Sequence, residues 1–289
     1  MAPAGTTIAV AVSLLGASGA LVTWMVHEEH RKLDSSEESV MPWTYGESAG
    51  DGEAPYAPEK WGELYPDCYG EAQSPINLSP GIETKTAPSE FNLDLWPDVC
   101  YSHDLSFHAG DHSWMIDTEE CEEPSRLSFK NETYKLVNVH WHSVSEHTSG
   151  WSCHDMEMHM VHVKEDGSGA LLVVGVFLDA ASAGLNLKVA DLWEVFMTKE
   201  EEWDGSEFSV SPYELIPATP SFSAYNGSLT TPPCSEGVQW LVMSSPILIS
   251  ENQLIMFRHA MAPYHRVNAD GGTNRPIQAL HGREVFFVG

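Results

Sequence analysis

Six of the fourteen histidines in this chain fall within one stretch, VNVHWHSVSEHTSGWSCHDMEMHMVHV, residues 137–163. Imidazole can ligate a metal, carry a proton near neutral pH, or sit buried with a hydrogen-bond partner. In LVNVHWH the two-residue alternation of a strand puts Asn138, His140 and His142 on one face and Val137, Val139 and Trp141 on the other. In DMEMHMVHV the same rule sets Asp155, Glu157, His159 and Val161 opposite Met156, Met158, Met160 and His162. If the two runs are antiparallel neighbours, His159 approaches His140 and His142. Three neutral imidazoles suit a Zn2+ ion and leave the fourth tetrahedral position open to water, which separates a catalytic site from a closed structural one. A His-x-His pair alone is more often a surface or hydrogen-bonded core feature than a metal site. The third histidine favours metal, and so does Glu157, whose carboxylate can accept the ring N–H of His159 from the same strand face. His147, His154 and His162 read as structural or surface histidines.

The elements that must position these residues are mostly strands. Alternating or β-branched runs recur in SWMID, YKLVNVHWH, MEMHMVHV, ALLVVGVFL, QWLVMSSPILI and EVFFVG, bounded by Gly, Pro, Asn and Asp. Helical periodicity is convincing only in AGLNLKVADLWEVFMT and in SENQLIMFRHAM, where Ser250 is placed to cap. The fold class is mainly β, a large sheet with a few short peripheral helices. Residues 43–289 contain no internal repeat and read as one domain. Residues 27–42 are polar and acidic without apolar periodicity, a linker.

Against 42 acidic residues stand 14 Lys and Arg, a formal net charge of −28 that disfavours nucleic acid and anionic lipid as partners. Residues 8–26, IAVAVSLLGASGALVTWMV, are uncharged and long enough to cross a bilayer. Small residues at Ser18 and Ala20 suit signal-peptide cleavage, whereas the absence of Lys or Arg before the run argues for an anchor. Residues 1–26 are thus a signal peptide or a membrane tether, and the remainder is expected in a secreted or membrane-anchored form. The five cysteines allow one or two bridges in an oxidising compartment. Sequons at Asn77, Asn131 and Asn226 fit export but arise easily by chance.

An ordered series of motifs resembles the α-class carbonic anhydrases: PWTYG (42–46), QSPINL (73–78), HWH (140–142), SEH (145–147), EMHMVH (157–162), VVGVFL (173–178), YNGSLTTPP (225–233) and NRP (274–276). The likeness spans residues 43 to 289. It implies a single domain around a large, twisted, mostly antiparallel sheet, with Zn2+ at the bottom of a conical cleft. By position His140, His142 and His159 match the zinc ligands. The activity implied is the reversible hydration of carbon dioxide to bicarbonate and a proton, the metal lowering the pKa of a bound water to about 7.

Carried over residue by residue, the resemblance makes Thr230 a gatekeeper whose hydroxyl donates to Glu146, and Thr231 a neighbour lining the substrate site. Val161, Val173, Leu229 and Trp240 match the apolar wall that receives carbon dioxide. His112 matches the proton shuttle, and Tyr45 and Asn138 match residues that order the waters. Met115 stands where the family frequently has a polar side chain. Cys68 and Cys234 match the bridge of exported members. Separately, a hairpin of LSFH and SWMI about the turn AGDH would set Ala109 opposite His112 and, further along, Cys100 opposite Cys121, leaving Cys153 free. The alternative function is a carbonic-anhydrase-like binding or matrix protein without turnover; such relatives typically lose a zinc-binding histidine, and all three are present here. A different zinc hydrolase would need a His-Glu-x-x-His signature, which the chain lacks.

Overall fold

The computed structural model describes residues 43–46, 56–78, 84–97, 100–101, 106–109, 113–118, 120–189, 193, 209–218, 220–261 and 272–289. The apolar run at 8–26, the linker and His112 lie outside them. A twelve-stranded sheet dominates the described residues. Its main path runs Thr84–Thr86, Val285–Val288, Phe222–Ser228, Glu236–Met243, Leu171–Ala180, Met156–Lys164, Glu132–His142, Trp114–Asp117, Ser106–Ala109. Two neighbours on this path are parallel, Thr84–Thr86 with Val285–Val288 and Leu171–Ala180 with Glu236–Met243; the rest are antiparallel. The expected mainly β class and mostly antiparallel sheet are what the chain adopts.

The period-two pattern sorts the two faces. Val139, Trp141, Met156, Met158 and Met160 enter one large core with Trp114, Trp193, Phe222 and Phe257. The opposite face carries the histidines. Between the two histidine-bearing strands alternation breaks once, at a bulge between Val161 and His162, where the partner strand advances from Asn138 to Leu136. The extra residue turns Leu136 into the same core as Val139 and Trp141. At the far end Arg126–Phe129 and Glu132–His142 form a hairpin whose two loop residues, Lys130 and Asn131, both have positive φ, the geometry that matches strand twist.

Helices are peripheral. In the helix Glu251–Met261, the Ser250 hydroxyl accepts the Gln253 amide at 3.2 Å while Gln253 Oε1 accepts the Ser250 amide at 2.9 Å, a reciprocal cap that confirms the role given to Ser250. Of the other helical run, residues 187–189 and 193 are described and helical. The hairpin register needs correction. Ala109 faces Trp114 and Ser106 faces Asp117, so four residues rather than two connect the strands. Because the slip is an even number of residues, the same faces remain paired, but Cys100 and Cys121 do not fall opposite each other along that hairpin. Cys121 is disulfide-bonded and Cys153 is free and exposed; the side chain of Cys100 is outside the described residues.

The Cys68–Cys234 disulfide is formed, 166 residues apart in sequence. It packs with Trp43, Tyr45 and Trp61, whose rings meet edge to face at 5.2–5.8 Å. Closing so long a loop removes about 4 to 5 kcal/mol of unfolded-state entropy in the chain-entropy account. It also fixes the segment just after Thr230 and Thr231.

His162 is fully buried and serves the core. Tyr213 donates its hydroxyl to His162 Nε2 at 2.8 Å, and Nδ1–H points to the Leu172 carbonyl at 3.3 Å. Burial lowers its pKa from 6.5 to about 3. The unfolded chain therefore takes up a proton below pH 6.5 that the folded chain refuses until about pH 3, so stability is complete above 6.5 and falls as pH drops through that window. The loss is at most about 1.4 kcal/mol per pH unit. Urea titrations of wild type and His162→Phe between pH 7 and pH 4 are expected to show a shallower acid decline in the variant.

Candidate metal centre

Register brings the histidines together. His140 lies directly opposite His159, and His142 opposite Glu157, across the antiparallel pair. Ring centroids are 5.1 Å apart for His140–His142, 5.2 Å for His140–His159 and 4.7 Å for His142–His159. One nitrogen from each ring falls within 4.8 Å of the others. His142 and His159 are buried and His140 is half-buried, so the cluster has its open side at His140.

Each ring is held by a different acceptor at its outer nitrogen. His140 Nδ1 donates to Asn138 Oδ1 at 2.7 Å, His142 Nδ1 to the Thr273 carbonyl at 2.5 Å, and His159 Nε2 to Glu157 Oε1 at 3.0 Å. The nitrogens left to face inward are His140 Nε2, His142 Nε2 and His159 Nδ1. Burial, helped by His159 and opposed by Glu146, lowers the pKa of His142, which favours the neutral form that ligates metal. Its Nε2 is buried with no hydrogen-bond partner. A buried orphan nitrogen is costly unless something completes it, and three imidazole nitrogens converging on one corner are a donor set that could hold a divalent cation there.

Glu157 anchors the arrangement. Oε1 accepts from His159 and from His147 Nδ1 at 2.7 Å, while Oε2 accepts the amides of Glu146 and His147 at 2.9 and 2.8 Å. Burial would raise this carboxyl, but the electrostatic attraction and hydrogen bonds of the His147 and His159 rings prevail and hold it well below the usual range. His147 continues the chain: its Nε2 accepts from Tyr225 Oη at 2.6 Å, and Ser74 Oγ stands 2.8 Å from Tyr225 Oη. Burial pushes the Tyr225 hydroxyl well up, so it stays a donor.

Glu146 turns one oxygen to the cluster. Oε2 lies 3.6 Å from His142 Nε2 and 3.9 Å from His159 Nδ1. Oε1 accepts the Arg275 amide at 2.8 Å. Glu146 Oε2 has no hydrogen-bond partner, so the bond expected from the Thr230 hydroxyl to that oxygen is not formed; Thr230 is nevertheless buried, with Leu229 and Thr231 half-buried beside it.

The apolar residues expected beside the metal form one cluster: Val161, Val173, Leu229 and Trp240 pack together with Tyr225 and Phe177. Asn138, Val161, Val173, Trp240 and Tyr225 occupy one cross-strand row, and His140, His159, Gly175 and Val242 occupy the next. The three histidines and the apolar residues are therefore carried by adjacent rows of the same sheet face. The indole of Trp240 meets His159 and His147 edge-on at 4.9 and 4.8 Å. Both ends of the Asn138 amide are bonded within the protein, Oδ1 to His140 and Nδ2 to Asp117. Tyr45 is buried in the aromatic cluster beside the disulfide. Met115 lies opposite His140 and is buried.

The family model for eukaryotic-type carbonic anhydrases matches residues 56–289. The chain belongs to that family. A carbonic anhydrase of Klebsiella pneumoniae is 32% identical over 252 residues, covering 86% of this chain and 94% of the relative. Human carbonic anhydrase 7 is 32% identical over 275 residues, covering 84% and 96%. Among solved structures, the α-carbonic anhydrase of Thermovibrio ammonificans, in complex with the inhibitor sulfanilamide, superposes with a TM-score of 0.66 at 29% identity, covering 84% of this chain and 98% of its own. Membership identifies the protein as one of a family of enzymes.

Residue-level reasoning read His147 only as a structural or surface histidine and gave no role to Tyr225, Thr273 or Arg275. Arg275 is buried, and its guanidinium spans Gln73 Oε1, Ser74 O and Cys68 O at 2.8, 2.8 and 3.2 Å. Burial lowers its pKa to about 10. For His147, Tyr225 and Arg275 the signal was present in SEH, YNGSLTTPP and NRP, three motifs quoted for the family likeness; Thr273 lies in none of them. Gly175, in VVGVFL, has a direct steric reason: a Cβ there would lie 2.8 Å from Glu157 Oε1. Gly175→Ala is expected to displace the carboxylate behind His159 and weaken metal binding by about tenfold, measured by chelator competition with the fold checked by circular dichroism.

Proposed function

We propose that this carbonic anhydrase family member is a zinc enzyme that interconverts carbon dioxide and bicarbonate. The observation that supports it is the convergence of three inward imidazole nitrogens, each backed by its own acceptor, on a corner where His142 Nε2 lacks a partner. His140 Nε2, His142 Nε2 and His159 Nδ1 would hold Zn2+. The ion supplies Lewis acidity that makes a water-derived nucleophile available at neutral pH.

The remaining work belongs to the chain. The row Val161, Val173 and Trp240, with Leu229, offers carbon dioxide an apolar surface adjacent to the ligand row, where a small uncharged molecule displaces weakly held water. Thr230 and Thr231 line the approach, and Glu146 directs a carboxylate oxygen to the same corner, where it is available as the acceptor of a hydrogen bond from the Thr230 hydroxyl. The product proton leaves through His112, whose pKa class suits transfer to buffer. Glu157 keeps His159 oriented and basic. The non-catalytic alternative gains nothing here, since none of the three ligand positions is substituted.

Export accompanies this reading. The Cys68–Cys234 bridge suits an oxidising compartment, residues 1–26 serve as signal peptide or tether, residues 27–42 as a spacer, and Cys121 takes Cys100 as its partner.

Zinc content and the rate of acidification after carbon dioxide addition test the proposal together. Wild type is expected to carry close to one zinc per chain, and His159→Ala to lose the metal and at least about a hundredfold in hydration rate. Equal rates in the two proteins would remove the proposal.

A further inference from the structure

The three inner rings differ in how firmly their tautomer is fixed. His142 faces a main-chain carbonyl and His159 an ionised carboxylate, neither of which can donate. His140 instead faces a primary amide, whose two ends can exchange by a half-turn of the side chain. With Oδ1 toward the ring, Asn138 requires Nδ1–H on His140 and leaves Nε2 free to ligate. With the amide reversed, Nδ2–H would point at Nδ1, select the other tautomer, and place a hydrogen on the nitrogen that must bind metal.

The residue that decides between these states is on the adjacent strand. Asp117 pairs in register with Asn138, and Asp117 Oδ1 accepts Asn138 Nδ2–H at 2.8 Å. Reversal would bring the amide oxygen against a carboxylate oxygen, replacing a charge-assisted hydrogen bond with repulsion. We propose that Asp117 is a positioning residue for the metal centre: it locks the Asn138 amide and thereby holds His140 as the Nδ1–H tautomer with Nε2 available. This rests on the zinc reading only for its consequence, because the tautomer is a property of the metal-free protein. The relay Asp117–Asn138–His140 also gives the half-buried ligand, the one nearest solvent, a carboxylate at one remove, as Glu157 gives His159 directly.

Long-range proton–nitrogen spectra of the metal-free protein at pH 8, with 15N-labelled histidine, report the tautomer of each ring, and chelator competition reports zinc affinity. Wild type is expected to show His140 as a single Nδ1–H form. Asp117→Leu is expected to give a mixture at His140 alone, with His142 and His159 unchanged, and zinc binding weakened about fivefold to tenfold. Asp117→Asn, an uncharged acceptor, is expected to fall between. Zinc affinity and tautomer unchanged in Asp117→Leu would overturn the proposal, as would a common shift of all three rings, which marks general loosening. Wild-type His140 found with its hydrogen on Nε2 would overturn it without any variant. A wild-type protein with the Nδ1–H form that binds no zinc would leave the positioning role standing and remove the zinc reading instead.

Discussion

A fully buried, ionised carboxylate sets the terms for everything around it. Glu157 costs several kcal/mol to strip of water, and that cost is recovered only when all its lone-pair directions are filled with good geometry. Here they are filled by two ring N–H groups and two main-chain amides, from His147, His159 and Glu146. The loop that carries Glu146 and His147 is thus pinned to the strand that carries His159. One anion orients His159, positions Glu146 beside the three imidazoles, and connects through His147 to Tyr225, three strands away in the sheet, and on to Ser74. Such a network resists piecemeal change, because removing any donor leaves the charge underpaired in a low-dielectric interior.

The sheet supplies the geometry that this anchoring needs. Cross-strand neighbours in register stand about 5 Å apart, which is close to the spacing of ligands around one ion. His140 and His159 are such neighbours, and His142 lies one step along on the same face. The next row holds Val161 and Val173, so this apolar surface is one residue pair from the histidines. Gly175 completes the ligand row by leaving out a side chain where the Glu157 carboxylate must pass. The opposite face is packed with Met156, Met158, Met160 and Trp141, which fixes the strands that carry the histidines.

Much of this was legible from local pattern. A period of two set His140 and His142 on one face of their strand and Glu157, His159 and Val161 on one face of theirs, with no knowledge of the pairing. What local pattern could not supply was long-range pairing. Alternation cannot reveal the bulge at Val161 and His162, since an extra residue shows only when the partner strand is present. The hairpin between Ser106–Ala109 and Trp114–Asp117 was shifted because a two-residue and a four-residue loop preserve the same faces, leaving the hydrophobic pattern indifferent to the choice. Thr273, Arg275 and Tyr225 are separated by 131, 129 and 78 residues from His142, Glu146 and His147 respectively. Their side chains look ordinary in isolation; their importance comes from where the chain returns.

That return explains why distant motifs act together. Thr273 backs His142 by its carbonyl, and two residues later Arg275 backs Glu146 by its amide, so a single extended segment sets both sides of the metal corner. The Arg275 side chain then reaches back to Gln73, Ser74 and the carbonyl of Cys68. Cys68 is bonded to Cys234, which closes the loop bearing Thr230. The path from disulfide to arginine to glutamate is continuous, and each link is either covalent or a hydrogen bond to a buried group. A ligand triad made only of strand residues would have the right spacing but no fixed relation to the threonine loop. The guanidinium, spread over three acceptors, is what joins the sheet to the segment that bears Thr230.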